Sequence, residues 1–268
     1  MKKFYSYGVK LIAIFFVLIA LLTPNQSNAQ CIEVIGVGMQ GSTTKSISIP
    51  NNLSDVDYLV VEAIFKGSSS QTAGNVRFSS SEETINQTAA DRLRPWNAKT
   101  STTKGAYRAT MRPVSSVTFK PTSGSAKFHS LVVYIYKKSG ACGGVISTRN
   151  DRMCFFYKNH ETWTYSVPTC TEKRDLSITV PLAELNNDSR IAKLTFSAGG
   201  KTKTVTTNTY NKGASLYLTT ITLEDVPANT SSATLKVESP TSNGDSYLNG
   251  TTVLNYTCNE DCAGDKTE

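Results

Sequence analysis

Short stretches in which apolar and polar residues alternate recur along the chain, and they are rich in Val, Ile, Thr, Tyr and Phe. Clusters of Gly, Asn, Ser and Pro separate them, which is the pattern of β-strands joined by turns. Amphipathic patterns of helical period are nearly absent. The exception is 81–92, where Ser80 and Glu83 have the spacing of a helix capping box and Pro95 would end the helix. The pattern predicts an all-β protein built from antiparallel sandwiches or barrels.

The longest apolar run lies near the N-terminus and has a different character. Leu11 to Leu22 is uninterrupted, Lys2 and Lys3 form a positive segment near the N-terminus before it, and small residues follow it up to Ala29. This order is typical of a secretory signal peptide, and twelve apolar residues are too few for the roughly 20 that span a bilayer. We therefore expect 1–29 to be a signal peptide and the mature chain to have no membrane span.

Internal similarity divides the remaining chain. The segment 47–50 (Ile-Ser-Ile-Pro) resembles 178–181 (Ile-Thr-Val-Pro), and Ser115–Lys120 resembles Ser231–Lys236. In both copies the second segment lies at the same distance before a cysteine, Cys142 or Cys258. We predict two tandem immunoglobulin-like antiparallel β-sandwich modules after the signal peptide. The predicted boundaries are 30–142 for module 1, 143–153 for a linker, 154–262 for module 2 and 263–268 for a C-terminal tail.

An even number of cysteines behind a signal peptide predicts disulfides in an oxidising compartment. Cys31 and Cys142 open and close module 1, so we expect them to pair. Cys258 would then pair with Cys170 or Cys154, and Cys262 with the other. The competing arrangement is Cys154 with Cys170, closing a hairpin, and Cys258 with Cys262. The six cysteines are Cys31, Cys142, Cys154, Cys170, Cys258 and Cys262.

Aromatic residues are concentrated in 154–170, where they flank a polar turn at 158–161 and suggest a hairpin. If one aromatic face were exposed, it could stack on sugar rings or on an apolar patch of a partner. If it were buried, the same residues would fill the core of module 2. The candidate ligand-binding residues are Tyr157, His160, Trp163 and Tyr165.

Oxygen-bearing side chains follow the two repeat prolines at similar distances. Asp55 and Asp57 follow the first, and Asn186 and Asp188 follow the second. Oxygen ligands spaced by two in a loop suit Ca²⁺, whereas the alternative is ordinary turn chemistry before a strand. Calcium at these four residues is the one cofactor that the sequence suggests.

Charge and composition narrow the function classes. The net charge of +7 falls to +4 without the three lysines of the signal, and the remaining basic residues are scattered. Such a mild charge does not point to nucleic acid. We find no nucleophile–base or zinc-helix motif, so we expect no enzymatic activity. Fold-placed carboxylates of an exported glycan hydrolase remain an alternative.

The N-terminal lysine pair, the apolar stretch and the mature start at Gln30 after Ala29 resemble exported proteins of the Bacteroidota. The tandem Ser/Thr-rich modules with paired cysteines resemble surface or secreted sandwich proteins of that group. The resemblance implies a secreted, cell-surface or periplasmic adhesion-type protein that recognises a glycan or a protein. The alternative is a structural subunit of a surface complex, whose open sheet edges would allow self-association.

Overall fold

The computed structural model describes twelve stretches of the chain, and every structural statement below refers to them. They are 32–41, 44–50, 52–67, 73–94, 103–138, 145–149, 155–157, 160–167, 169–184, 192–206, 216–238 and 246–258. Eighteen β-strands and two short 3₁₀ turns account for the regular structure in these stretches.

The first module contains eight antiparallel strands in two sheets. They are β1 Ile32–Gly41, β2 Lys45–Ser48, β3 Val56–Lys66, β4 Val76–Ser79, β5 Thr84–Gln87, β6 Lys104–Met111, β7 Ser116–Pro121 and β8 Lys127–Lys137. One sheet has the order β1-β8-β3-β6, and we call it the inner sheet of module 1. The outer sheet has the order β2-β7-β4-β5.

The second module contains the other ten strands. They are β9 Val145–Arg149, β10 Phe155–Tyr157, β11 His160–Ser166, β12 Arg174–Glu184, β13 Lys193–Ala198, β14 Lys201–Thr206, β15 Leu216–Val226, β16 Ser232–Glu238, β17 Ser246–Asn249 and β18 Thr252–Cys258. The inner sheet of module 2 has the order β10-β17-β12-β18-β9, with β15 on the other flank of β12. The outer sheet has the order β11-β16-β13-β14.

Both modules have the strand order of a jelly roll, in which eight strands form two four-stranded sheets. In module 2 the first strand is split into β9 and β10, and the last strand is split into β17 and β18. The prediction of an all-β protein with two antiparallel β-sandwich modules is confirmed. The strand order refines it, since an immunoglobulin constant-type sandwich has seven strands in a different arrangement.

Of the two pairs of similar segments, only one pair occupies equivalent strands in the two modules. Ser115–Lys120 and Ser231–Lys236 correspond to β7 and β16, which occupy the same place in the two outer sheets. The segment 47–50 belongs to β2 and the residues after it, whereas 178–181 lies within β12, whose counterpart is β3. That part of the alignment is displaced by one strand, because a short alternating run before a proline fits several strands of a sandwich equally well.

Two local predictions differ from the structure. The helix expected over 81–92 is absent, and β5 and a 3₁₀ turn at Ala89–Asp91 lie there instead. The Ser80 hydroxyl does accept bonds from the N–H groups of Glu82 and Glu83, but it caps the turn between β4 and β5. Strand β9 lies in the predicted linker and pairs with β18, so module 2 includes residues before 154.

The inner sheets are covered on both faces, and this explains their nearly continuous apolar sequences. On β3, the side chains of Leu59, Val61 and Phe65 fill the core between the two sheets of module 1. Ile64, on the opposite face, packs with Ala183 of module 2. The molecule is therefore a stack of four sheets, with the two inner sheets packed against each other.

Side chains from the outer sheets close the open flank of each sandwich. In module 2 the Nζ atoms of Lys201 and Lys203 on β14 donate to the carbonyl oxygens of Glu224 (2.6 Å) and Thr222 (3.3 Å) on β15. In module 1 the Nε2 atom of Gln87 donates to the carbonyl oxygen of Arg108 on β6 at 2.6 Å. These bonds satisfy backbone groups of edge strands that would otherwise be available to another strand.

Within the described ranges, no helix has the length and apolar character needed to cross a membrane.

The buried phenol of Tyr107 predicts a pH dependence of stability. Its hydroxyl donates to the carbonyl oxygen of Gly74, and burial raises the pKa of Tyr107 to about 12. An unfolded tyrosine ionises near pH 10, so the stabilisation is complete below that pH and is lost as pH rises through about 12. Between pH 10 and about 12, we expect the free energy of unfolding, measured in urea, to decline with rising pH less steeply in Tyr107→Phe than in the unaltered protein. The two slopes should differ by up to about 1.4 kcal/mol per pH unit. Equal slopes for the two proteins would contradict the assignment.

Candidate functional site

The predicted aromatic hairpin does not form. Strand β10 belongs to the inner sheet of module 2 and pairs with β17, whereas β11 belongs to the outer sheet and pairs with β16. The chain thus crosses from one sheet to the other between the two strands. Trp163 and Tyr165 are buried in the core of module 2, only 3% and 1% exposed. The prediction that they form an exposed ligand-binding face is wrong, because alternation along β11 directs both rings into the sandwich.

His160, another residue of that predicted site, is not brought together with the two rings. His160 is exposed at the start of β11 and lies opposite Glu238 of β16. It is three residues before Trp163, so it faces outward while the tryptophan faces inward. The side chain of Tyr157 lies outside the described part of the structure.

The predicted cation site has a different local role where it is described. The carboxylate of Asp55 accepts a bond from the Ser54 hydroxyl at 2.9 Å, and the Asn52 side chain accepts from the Ser54 N–H at 3.3 Å. This is the turn chemistry expected before a strand. Within the twelve stretches, no group of three or more His, Cys, Asp or Glu is arranged so that it could hold a metal ion. Asn186 and Asp188 lie outside them, so calcium stays a prediction.

The disulfide predictions rest mainly on residues outside the described ranges, namely Cys31, Cys142, Cys154 and Cys262. The backbone of Cys258 pairs with Arg174 at the start of β12, four residues after Cys170. The guanidinium of Arg174 donates to Cys170 Sγ, and the Cys170 N–H donates to the carbonyl oxygen of Ala228 at 3.0 Å. Next to Cys31, Ile32 pairs with Tyr136 of β8, so the first and last strands of module 1 are neighbours. The connectivity stays a prediction.

A buried charged network lies where the two modules meet. Glu62, on β3, is fully buried, and its carboxylate accepts bonds from Arg108 Nε at 3.0 Å and Nη2 at 2.5 Å. Thr251 of module 2 donates to the same carboxylate from its N–H and its hydroxyl, both at 3.3 Å. The Tyr134 hydroxyl contacts it at 3.4 Å. One buried carboxylate therefore joins β3, β6 and β8 to the second module.

The sequence of module 2 explains why Thr251 reaches this carboxylate. Pro181 has no N–H to donate, and the pairing of β12 passes from β18 to β17 at this point. The Gly250 N–H donates to the Pro181 carbonyl at 2.8 Å, which places the turn between β17 and β18 against module 1. A Cβ atom at Gly250 would lie 2.5 Å from a Glu62 carboxylate oxygen and 2.9 Å from the Tyr134 hydroxyl. Only glycine allows this close approach.

A cleft of about 240 Å³ opens beside this network, and we call it the tyrosine cleft. The rings of Tyr58 and Tyr136 stack in it with centroids 4.3 Å apart and planes inclined by 17°. Both rings are partly exposed. Its lining consists of Tyr58, Val60, Arg108, Thr110, Tyr134, Tyr136 and Thr251.

Comparison with known proteins yields no family assignment. No protein-family model matches the chain, and no curated protein matches it either. Among solved structures, the ANX2 ectodomain from Arabidopsis thaliana is similar over 88% of this chain and 91% of its own, with 11% identity and a TM-score of 0.30. The CBM22-1-CBM22-2 tandem domain of Paenibacillus barcinonensis Xyn10C is similar over 87% and 94%, with 9% identity and a TM-score of 0.30.

A third similar structure is vicilin from Solanum lycopersicum (tomato), over 85% of this chain and 77% of its own, with 8% identity and a TM-score of 0.32. At TM-scores near 0.3 the likeness says nothing about what this chain binds.

The electrostatics of the tyrosine cleft are balanced. Burial alone would lower the pKa of Arg108, but the adjacent Glu62 carboxylate outweighs it and raises that pKa. The guanidinium therefore stays charged and is neutralised by its partner. Burial and the nearby Asp57 carboxylate raise the pKa of Tyr58, and burial followed by the Glu62 charge raises that of Tyr134 well above 10. The cleft thus presents neutral phenols, hydroxyls and a compensated ion pair at ordinary pH.

None of these residues was singled out from the sequence. Tyr58, Arg108, Tyr136 and Thr251 are distant along the chain and meet only through the strand order and the contact between modules. One signal was available, namely Glu62 within the apolar stretch of β3. A charged residue at the centre of a buried strand requires a buried partner, and that partner marks the site.

Proposed function

We propose that this chain is an exported, non-enzymatic binding protein that recognises a glycan at the tyrosine cleft. The observation that carries the proposal is the partly exposed Tyr58–Tyr136 stack beside a compensated Arg108–Glu62 pair. A sugar ring has an apolar C–H face and a rim of hydroxyls. The C–H face packs against an aromatic ring, and the hydroxyls form hydrogen bonds with charged and hydroxyl groups of the protein.

The size of the cleft suits the recognition of a short part of a ligand. Its volume of about 240 Å³ lies slightly below the roughly 300–1,000 Å³ typical of pockets for drug-sized molecules. Besides the three tyrosines, two threonines, Thr110 and Thr251, lie on its walls. Glycan recognition by one or a few sugar units at a time is consistent with this arrangement, and export follows from the signal-like segment 1–29.

Binding to a glycan array tests the proposal. The proteins compared are the oxidised protein lacking 1–29 and two variants of it at Tyr58. Tyr58→Ala removes the partly exposed ring, so we expect affinity for the recognised glycan to fall at least about tenfold. Tyr58→Phe keeps the ring and removes only the hydroxyl, so we expect affinity to stay within about threefold. No binding by the unaltered protein, or equal binding by Tyr58→Ala, would contradict the proposal.

A further inference from the structure

A second cleft lies along the same contact between modules and has a different chemistry. Its volume is about 350 Å³ and it contains no aromatic residue, so we call it the polar cleft. Glu33 and Lys137 form an ion pair of 3.1 Å on its module 1 wall. The hydroxyls of Thr179 and Thr220 are 2.9 Å apart on the opposite wall. The complete lining is Ile32, Glu33, Val34, Lys137, Ser177, Thr179, Thr220 and Asn255.

The two clefts lie at the same end of the inner sheet of module 1. The register aligns Ile32 of β1 with Tyr136 of β8, and Tyr136 with Tyr58 of β3. The polar cleft covers β1 and the end of β8, and the tyrosine cleft covers β8, β3 and β6. The clefts are therefore side by side across the four strands of the sheet.

The opposite wall of both clefts follows the last strand of module 2. Thr251, immediately before β18, lines the tyrosine cleft, and Asn255 within β18 lines the polar cleft. Val253 lies between them and is fully buried in the apolar cluster at the module contact. A ligand that fills both clefts must therefore pass over the rim of the contact, where Tyr136 of the tyrosine cleft is followed by Lys137 of the polar cleft. At about 3.3 Å per residue, the two lining positions are roughly 13 Å apart. This distance suits an oligosaccharide and exceeds a single sugar.

The charges of the polar cleft are also compensated. Glu33 neutralises Lys137, and the remaining polar lining residues are hydroxyl and amide side chains. The Asn255 amide donates to the Ile32 carbonyl at 3.3 Å, so this side chain is oriented by module 1. Such a lining favours a neutral ligand rich in hydroxyl groups. An anion is disfavoured because the cleft offers it no cationic side chain that is not already neutralised.

We propose that the two clefts are subsites of one groove that binds an extended, neutral glycan chain along the contact between modules. The inference rests on the proposed function of the tyrosine cleft and adds the ligand's length and charge. One sugar ring stacks in the tyrosine cleft, and the following units bond to the hydroxyl groups of the polar cleft. Affinity therefore rises with chain length until both subsites are filled.

Calorimetry with neutral cello-, manno- and laminari-oligosaccharides, from monosaccharide to hexasaccharide, tests the groove. The exposed Thr220 supplies the test variant, Thr220→Val. We expect it to bind the hexasaccharide of the preferred series up to about tenfold more weakly than the unaltered protein, and the monosaccharide equally well. Thr162→Val, on the outward face of β11, is the matched control and should change neither affinity.

The outcomes separate this inference from the proposed function. Suppose that Tyr58→Ala abolishes binding, but affinity does not rise with oligosaccharide length or Thr220→Val has no length-dependent effect. The proposal of one groove is then wrong, and the proposed binding at the tyrosine cleft is retained. If the glycan array shows binding but none of these neutral oligosaccharides binds, the groove assignment is wrong and the proposed function is retained. If the array shows no binding either, both fail. An oligogalacturonate of equal length should bind more weakly than the neutral chain, and tighter binding would overturn the charge assignment.

Discussion

Replacing Glu62 with leucine is expected to lower the free energy of unfolding by about 3–5 kcal/mol. The side chain of Glu62 is fully buried, and that of Arg108 is only 18% exposed. Without the carboxylate, the guanidinium remains largely buried with its counter-ion removed, and Thr251 loses the acceptor of its N–H and its hydroxyl. Urea unfolding measures the loss.

A matched control is available in the same sheet. Glu33 pairs with Lys137 at 3.1 Å, but both side chains are partly exposed to solvent. Glu33→Leu should therefore cost no more than about 1 kcal/mol. The double variant Glu62→Leu/Arg108→Met removes both charges and should recover most of the stability. A loss below about 1 kcal/mol for Glu62→Leu, or no recovery in the double variant, would show that the pair is not a buried ion pair in solution.

Trp163→Ala is expected to destabilise the protein by about 3–5 kcal/mol and to leave glycan binding unchanged under conditions where the variant is folded. The tryptophan lies in the core of module 2 with Tyr165, Leu235 and Phe196. It is not among the lining residues of either cleft. Removing it leaves a cavity that the rigid surrounding strands cannot fill. Thermal and urea unfolding measure the cost, and calorimetry at low temperature measures binding.

The control for Trp163→Ala removes an apolar side chain from the surface. Leu218 on β15 is 38% exposed, and we expect Leu218→Ala to change the free energy of unfolding by about 0.5 kcal/mol or less. If Trp163→Ala instead kept its stability and lost binding, the tryptophan would belong to a recognition surface and its assignment to the core would be wrong.

The sheet content and the module count could be predicted because they depend on local patterns. Alternation along β11 or β16 is visible in the sequence, since residues two apart share a face. The same alternation does not reveal which sheet a strand joins. The strands β10 and β11 therefore resembled a hairpin, although the chain crosses between sheets after Tyr157. Pairing partners depend on contacts between distant segments, which one sequence does not display.

The candidate site could not be predicted from local sequence patterns, for the same reason. The tyrosine cleft combines residues from β3, β6, β8 and the turn before β18, and it exists only because two modules pack against each other. The aromatic residues concentrated at 154–170 suggested a binding site because they are close in sequence, but Trp163 and Tyr165 lie in the core of module 2. The scattered Tyr58 and Tyr136 form the exposed pair instead.

The double-sided burial of the inner sheets limits how this protein can be divided or recombined. A polypeptide ending after module 1 would present Val60, Ile64, Val132 and Tyr134 to water, because these side chains face the second module. Exposed apolar strands of this kind promote aggregation. The modules are thus halves of one cooperative folding unit, even though each has a complete strand order. Exchange of either module between relatives would succeed only together with the facing sheet of the other.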